Sequence, residues 1–200
     1  MHSKHLILYL GAGYFFLMII LKNILPEWTG NENSIIENLQ LLWLLAGFSY
    51  CYKAKKSKFQ ISHEEAQFLW NAGMIYFFLL FMREISWGRT FITNTDGSNV
   101  QYSQLGLYGK IVHPVVATLI IMLIILLFKA RFWKILLSIY FPIKAFCLLL
   151  VFIFAAWIAE RTSFTYFHGQ VAEELAEFGA YMMMFFLVHN TGEQSKNSRT

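Results

Sequence analysis

Long apolar runs, separated by short polar patches, make up most of this chain. Six of the runs have the roughly 20 residues that an α-helix needs to cross a lipid bilayer. They cover about residues 6–25, 35–52, 66–85, 111–128, 135–158 and 171–189. Because the polar residues cluster between these runs, the pattern predicts one all-α domain over residues 1–189, a polytopic transmembrane bundle of about six helices.

Composition supports a membrane location. Hydrophobic residues make up 57% of the chain and charged residues only 14%, which is too apolar for a soluble domain with a polar surface. The formal net charge of +4 is modest, and the basic residues fall in the short segments between the runs. We therefore expect the lipid bilayer as the surrounding solvent and no nucleic acid as a partner.

Basic residues predict which segments face the cytoplasm, because lysine and arginine are enriched on that side of membrane proteins. Four basic segments alternate with the predicted spans: Lys4, the run 53–58, the group Lys129, Arg131 and Lys134, and the pair Lys196 and Arg199. This pattern places both termini in the cytoplasm, with residues 190–200 as a polar, disordered tail. The sequence contains no Asn-x-Ser/Thr acceptor, which favours a bacterial inner membrane over a eukaryotic secretory one.

Proline and turn residues predict where the later spans begin and bend. His113 and Pro114 would open the fourth span, since first-turn amides have no partner within the helix. Pro142 would kink the fifth span. Residues 86–110 are rich in Gly, Asn, Thr and Ser, and they predict a long outer loop able to fold over a site.

The last span carries small residues at a regular spacing. Ala172, Ala176 and Ala180 recur at every fourth position, with Gly179 beside them. In a membrane this spacing lets a second helix approach closely. It predicts a helix-packing face.

Ionisable residues gather at the predicted outer ends of the spans. The segment 83–89 ends the third span with two arginines, a glutamate and a tryptophan, and charges at the mouth of a membrane helix are costly unless they pair. Glu177 lies about 9 Å inside the start of the last span, one turn from Glu173 and Glu174. Such acids repel each other unless a cation or a shared proton lies between them. We expect the outer acids, arginines and histidines to converge in one site.

Two kinds of chemistry fit these residue types. In the first, glutamates act as acid–base groups while arginines hold the phosphate or carboxylate of a lipid or lipid-linked substrate, as in a hydrolase or transferase. In the second, a divalent metal activates water. The predicted site residues are Glu84, Glu177, His113 and His168 for catalysis, Arg83, Arg89, Arg161, Trp87 and Glu37 for substrate binding, and Glu174 with His113 and His168 for a metal.

Transport and scaffolding are the alternative functions. Lys144 lies a third to halfway across the fifth predicted span, where it either extends to the cytoplasmic face or points into the bundle near Asn71. The second arrangement would indicate a small oligomeric transporter or channel with a polar path to the outer acids. In the scaffold alternative the charges only join helix ends, and the partner is another membrane protein or a second copy of the chain.

The segment 83–89 resembles a motif of uncharacterised bacterial polytopic membrane proteins, Glu-Glu-Ile-Ser-Trp-Gly-Gln-Arg. Residues 84–88 match it, Arg83 stands in place of the first acid, and the residue before the final arginine is missing. Residues 31–33 and 36–40 are similar to an acidic stretch that precedes the second span in those proteins. The resemblance implies a polytopic membrane protein, draws attention to Glu37, Glu84 and Trp87, and implies no particular activity.

Labelling of single cysteines tests the six-span topology, after Cys51 and Cys147 have been replaced by alanine. In intact spheroplasts, a cysteine at Ser98 between the third and fourth spans should react with a membrane-impermeant maleimide. A cysteine at Ser57, in the lysine-rich run, should react only after lysis. Equal labelling of both positions in intact spheroplasts would contradict the predicted arrangement.

Overall fold

The structure is a computed structural model that describes residues 2–30, 34–56, 64–91, 100–136, 142–161 and 169–197. Over these residues the chain is all-α and has no β-strand, as the sequence predicts. The α-helices are α1 (His2–Ile24), α2 (Ile35–Lys55), α3 (Glu64–Glu84), α4 (Gly106–Lys129), α5 (Phe132–Leu136), α6 (Ile143–Arg161) and α7 (Gln170–Asn197). Three short 3₁₀ helices connect them: η1 (Glu27–Gly30), η2 (Ser86–Phe91) and η3 (Tyr102–Leu105).

The chain divides into two compact units. Unit 1 comprises Met1–Trp43 and Ile139–Thr200, and unit 2 comprises Leu44–Ser138. The division falls within α2, so unit 1 holds α1, the first turns of α2, α6 and α7, while unit 2 holds the rest of α2 with α3, α4 and α5. Of the predicted site residues, Glu37, Glu174 and Glu177 therefore belong to unit 1, and the segment 83–89 belongs to unit 2.

In unit 1, α7 packs against α6 and α1 through its small residues. Ala172 and Ala176 are fully buried, and Ala180 is nearly so. Gly179 faces the ring of Phe152, and a Cβ added to this glycine would lie 2.6 Å from a carbon atom of the ring. This close approach confirms the packing face that the spacing of small residues predicts.

The turn after α1 also meets α7 at close range. A Cβ on Gly30 would lie 2.6 Å from the backbone nitrogen of Val171, so the contact requires a residue without a side chain. Thr29 is buried beside it and donates its hydroxyl to the carbonyl oxygen of Pro26 at 2.7 Å. These contacts hold η1 against the first turn of α7, next to the turn that carries the acidic residues.

In unit 2, α3 packs against α4. Gly47 of α2 lies directly against the ring of Phe77 of α3, which is fully buried. The 3₁₀ helix η3 lies on the start of α4, where Gly109 meets the carbonyl oxygen of Tyr102 so closely that a Cβ would overlap it. Glycines therefore set two of the closest contacts of this unit.

The start of α4 differs from the one that the sequence predicts. The helix begins at Gly106, so Pro114 lies inside it and not in its first turn, and the segment predicted as an outer loop contains η2, η3 and the first residues of α4. Proline inside a helix lacks the amide hydrogen that would donate to the carbonyl oxygen four residues earlier, here that of Lys110. Thr118 donates its hydroxyl to the carbonyl oxygen of Pro114 itself at 2.8 Å, and this bond does not replace the missing one. The proline marks the helix interior, not its start.

Two further boundaries differ. The helix that contains most of the fifth predicted span begins at Ile143, directly after Pro142, because proline has no amide hydrogen to continue a helix. Residues 135 and 136 of that predicted span belong to α5, and residues 137–141 lie outside the described residues. The last helix, α7, continues to Asn197, past the residue at which the disordered tail was expected to begin. Asn190 is buried, so packing continues beyond the apolar run.

Two helical stretches of the described residues, Tyr102–Lys129 and Ile143–Arg161, are long and apolar enough to cross a membrane, whereas the apolar stretch Leu8–Ile24 is shorter. Large apolar side chains on both stretches are exposed, including Phe128 at 64% and Phe154 at 59%. Exposed apolar surface on this scale is expected where lipid surrounds a helix. Two of the predicted spans thus have the properties of membrane helices.

Replacing Gly109 by alanine should destabilise unit 2, because the new methyl group would overlap the carbonyl oxygen of Tyr102 and push η3 away from α4. We expect a loss of about 1–3 kcal/mol, seen as a lower midpoint of thermal unfolding in detergent. Gly13→Ala is the matched control, since Gly13 also lies within a helix and its added Cβ would meet no atom within 4 Å. An unchanged midpoint for Gly109→Ala would contradict the packing of η3 on α4.

Candidate functional site

Glu174 and Glu177 form a close acid pair in the first two turns of α7. Both residues are half-buried, and a carboxylate oxygen of one lies within 4.8 Å of a carboxylate oxygen of the other. Their spacing of three residues places them on one face of the helix. Two like charges repel at this distance when they are partly removed from water, so a shared proton or a bound cation would stabilise the pair.

Side chains from two other helices of unit 1 hold this part of α7. Gln40 of α2 is fully buried, and its Nε2 donates to the backbone oxygen of Glu174 at 2.9 Å and to Oε2 of the same residue at 2.8 Å. Tyr14 of α1 donates its hydroxyl to the carbonyl oxygen of Leu175 at 2.8 Å. Glu174 is thereby fixed in place. The other polar atom of the amide, Gln40 Oε1, is buried and has no hydrogen-bond partner among the described residues.

Glu37 lies in the first turn of α2 and is only 7% exposed. Its backbone N–H donates to the hydroxyl oxygen of Ser34 at 3.4 Å, and Asn38 Nδ2 donates to the carbonyl oxygen of Ser34 at 2.8 Å. A serine before the helix with a glutamate three residues later is a common capping pattern. Because Gln40 follows one turn later, the start of α2 presents buried polar residues within unit 1.

In unit 2, Arg83 and Glu84 form an ion pair at the end of α3. Nη2 of Arg83 lies 3.0 Å from Oε1 of Glu84, and Nε donates to the same oxygen at 3.0 Å. The Arg83 side chain is 55% exposed and the Glu84 side chain only 7%. A helix end can carry a buried carboxylate when a partner that reaches solvent neutralises its charge. The Arg83–Glu84 pair therefore fits a structural role as well as a catalytic one.

The chain turns sharply after α3. Ser86, Trp87 and Gly88 have φ angles of 45°, 54° and 80°, and this left-handed conformation costs on the order of 1–2 kcal/mol for each residue other than glycine. Two tyrosines hold the turn: Tyr102 donates its hydroxyl to the carbonyl oxygen of Ser86 at 2.8 Å, and Tyr108 donates its hydroxyl to that of Trp87. Backbone strain that neighbouring residues maintain in this way is concentrated at functional sites.

Arg89 follows the strained turn and lies over the ring of Tyr102, with its guanidinium carbon 5.3 Å from the ring centre. Arg89 Nε is buried and has no hydrogen-bond partner among the described residues. His113 is exposed and meets the same ring edge to face, with 5.6 Å between the ring centres. Two of the predicted site residues, Arg89 and His113, are thus brought together by Tyr102.

The remaining predicted residues make separate contacts. Arg161 is exposed at the end of α6 and lies over the ring of Trp157 at 5.9 Å. Trp87 packs edge to face against Phe78, with 6.3 Å between the ring centres. Lys144 is exposed in the first turn of α6, and Asn71 is half-buried in α3.

Three predicted groupings stay predictions. The metal set of His113, His168 and Glu174 includes His168, which lies outside the described residues. The convergence of the acids of α7 with the segment 83–89 joins residues of different units, as does the path from Lys144 to Asn71.

Three residues of these clusters were not predicted from the sequence. Gln40 could have been noticed as an uncharged polar residue within an apolar run, where it needs hydrogen-bond partners. Tyr102 and Tyr108 lie in a segment interpreted as an outer loop, and their contacts with the turn depend on the folding of η3 onto α4. No local pattern predicts those contacts.

The chain was compared with models of protein families, with curated proteins and with solved structures, and no match was found in any of the three comparisons. The resemblance of the segment 83–89 to bacterial polytopic membrane proteins stays a prediction.

Replacing Gln40 by methionine should destabilise unit 1, because it removes both hydrogen bonds to Glu174 while keeping the length of the side chain. We expect a loss of about 1–3 kcal/mol in detergent, the usual cost of leaving buried polar groups without partners. Gln170→Met, at an exposed position in the first turn of α7, is the control for the same chemical change. Equal stability of the two variants would contradict the proposed anchoring of Glu174.

Proposed function

We propose that the protein crosses a bacterial inner membrane six times, with both termini in the cytoplasm. The exposed apolar side chains of α4 and α6 and the alternation of basic segments along the chain support this arrangement. In it, the end of α3 and the starts of α2 and α7 face outward. The acid pair of α7 would then lie beneath the headgroups of the outer leaflet.

We further propose that the protein is an enzyme, a hydrolase or transferase that acts on a lipid or lipid-linked substrate. The observation that carries this proposal is the approach of the Glu174 and Glu177 carboxylates to within 4.8 Å in a half-buried position. Two carboxylates at this distance repel, which favours a proton on one of them, and a pair of this kind can both release and accept a proton.

Gln40 donates to the carboxylate of Glu174 and positions it. We assign the role of general acid or base to Glu177, which lies one turn further into α7. Glu174 and Gln40 position it. A substrate that enters from the lipid would reach the pair without crossing bulk water.

A second candidate function is the transport of a small cation, and one specific observation favours it. Gln40 Oε1 is buried and has no partner among the described residues, although its amide is bonded to Glu174. The amide oxygen of Gln40 and the carboxylates of Glu174 and Glu177 are the kind of oxygen ligands that hard cations such as Na⁺ prefer. In this alternative a cation neutralises the acid pair.

The enzyme proposal is tested by reconstituting the purified protein in an extract of bacterial inner-membrane lipids and following the lipids by mass spectrometry. We expect the wild-type protein to convert one lipid class, and Glu177→Gln to lower the rate by about 10²- to 10⁴-fold, the usual contribution of a positioned acid–base group. Glu160→Gln is the control, because Glu160 is an exposed glutamate of the same unit.

Three results would contradict the enzyme proposal. The first is that the wild-type protein leaves every lipid class unchanged. The second is that Glu177→Gln retains the wild-type rate. The third is cation uptake by proteoliposomes that depends on Gln40 and Glu174, which would support the transporter instead.

A further inference from the structure

The guanidinium group of Arg89 has unused hydrogen-bonding capacity. Its Nε is buried without a hydrogen-bond partner among the described residues, and the guanidinium lies over the face of the Tyr102 ring. A cation–π contact stabilises the positive charge but accepts no N–H hydrogen bond. Arg89 as a whole is half-buried, so an anionic acceptor from outside the chain would approach the terminal nitrogens of the guanidinium and not the enclosed Nε.

None of the carboxylates that the structure describes in unit 2 provides that acceptor. Among its described residues these are Glu64, Glu65 and Glu84. Glu65 pairs with Arg131 at 3.1 Å, and Glu84 pairs with Arg83 at 3.0 Å. Glu64 begins α3. Because this helix has 21 residues, Glu64 lies about 30 Å from the other helix end, which the strained turn follows. Positive charge at Arg89 is therefore not neutralised by a described acid of its own unit.

Further basic groups lie beside Tyr102. His113 meets the Tyr102 ring edge to face, and Lys110, three residues earlier on α4, lies on the same side of that helix and is exposed. The turn that positions Arg89 is held by the hydroxyls of Tyr102 and Tyr108. These hydrogen bonds fix the backbone of the turn that precedes Arg89.

We propose that Arg89 binds a phosphate group, with Tyr102 supporting the guanidinium, Lys110 adding positive charge and His113 offering a ring N–H donor. The planar guanidinium donates two parallel N–H bonds to phosphate oxygens, a geometry that lysine cannot reproduce. Tyr102 begins the stretch Tyr102–Lys129, which is apolar enough to cross a membrane, so the site lies where that helix would leave the lipid. The phosphate of an anionic phospholipid headgroup is at that level. This inference does not depend on the acid pair of α7.

The proposal is tested by native mass spectrometry of the full-length protein released from nanodiscs that contain phosphatidylcholine and phosphatidylglycerol. We expect the wild-type protein to retain phosphatidylglycerol preferentially. Arg89→Gln should lower the apparent affinity by about ten- to hundredfold, as expected for the loss of a charge-assisted hydrogen bond. Arg89→Lys, which keeps the charge without the planar group, should recover only part of the affinity.

Arg131→Gln is the matched control, because it removes an arginine from the same unit that is already paired with Glu65. A second measurement, protection of Arg89 from phenylglyoxal, distinguishes the sources of the phosphate. Protection by phosphatidylglycerol alone indicates a lipid headgroup, whereas protection by inorganic phosphate at millimolar concentration indicates a soluble phosphate compound; both support the site. Equal retention of phosphatidylglycerol by the wild type and Arg89→Gln, or an equal loss in Arg131→Gln, would overturn it.

Discussion

The close packing of α7 is the constraint on which unit 1 depends. Fully buried alanines at positions 172 and 176 let neighbouring helices approach the backbone of α7, and Gly30 lets η1 do the same. Only at that distance can Tyr14 and Gln40 reach the carbonyl oxygens of consecutive residues in α7. The position of the acid pair follows from packing: the alanines on one side of the helix bring in the groups that hold the glutamates on the other.

In unit 2, a strained backbone turn positions Arg89, whereas in unit 1 small residues along a helix position the acid pair. The turn after α3 places two non-glycine residues in the left-handed region, and its conformation depends on tyrosine hydroxyls from η3 and α4. The Tyr102 hydroxyl is in reach because Gly109 allows η3 to lie directly on α4, and Tyr108 belongs to α4 itself. These contacts together support the turn that carries Arg89. Strain of this kind persists only when several surrounding contacts maintain it.

The sequence predicts the helical class, most of the helices and the packing face of α7, because hydrophobic runs and the spacing of small residues are local signals. It is less reliable at helix ends. The sequence predicts a helix start at Pro114, whereas the helix begins at Gly106. A proline in the first turn and a proline in the interior give the same local signal unless the preceding residues are known to be helical. The contacts of Gln40 and Tyr102 were not predictable, since each joins residues from different helices. Charged helix ends were predicted, but the partners of Arg83 and Arg89 were not.

The position of a charge at a helix end does not by itself separate a functional role from a structural one, because helix ends are where an apolar chain carries charge at least cost. The presence or absence of hydrogen-bond partners helps to separate the functional role from the structural one. Arg83 pairs with its neighbour Glu84 at the end of α3, and Arg131 pairs with Glu65 at the start of the same helix, as expected of charges that stabilise helix ends. Gln40 Oε1 and Arg89 Nε have no such partner among the described residues. Trp70 Nε1 and Asn190 Nδ2 share that property, but neither belongs to an ionised group or an acid pair, and a neutral donor costs less to leave unpaired than a charged one. An arginine held on a strained turn, with no described acid of its own unit as partner, differs in this respect from Arg83 and Arg131, and that difference is the basis of the proposal that Arg89 binds an anion.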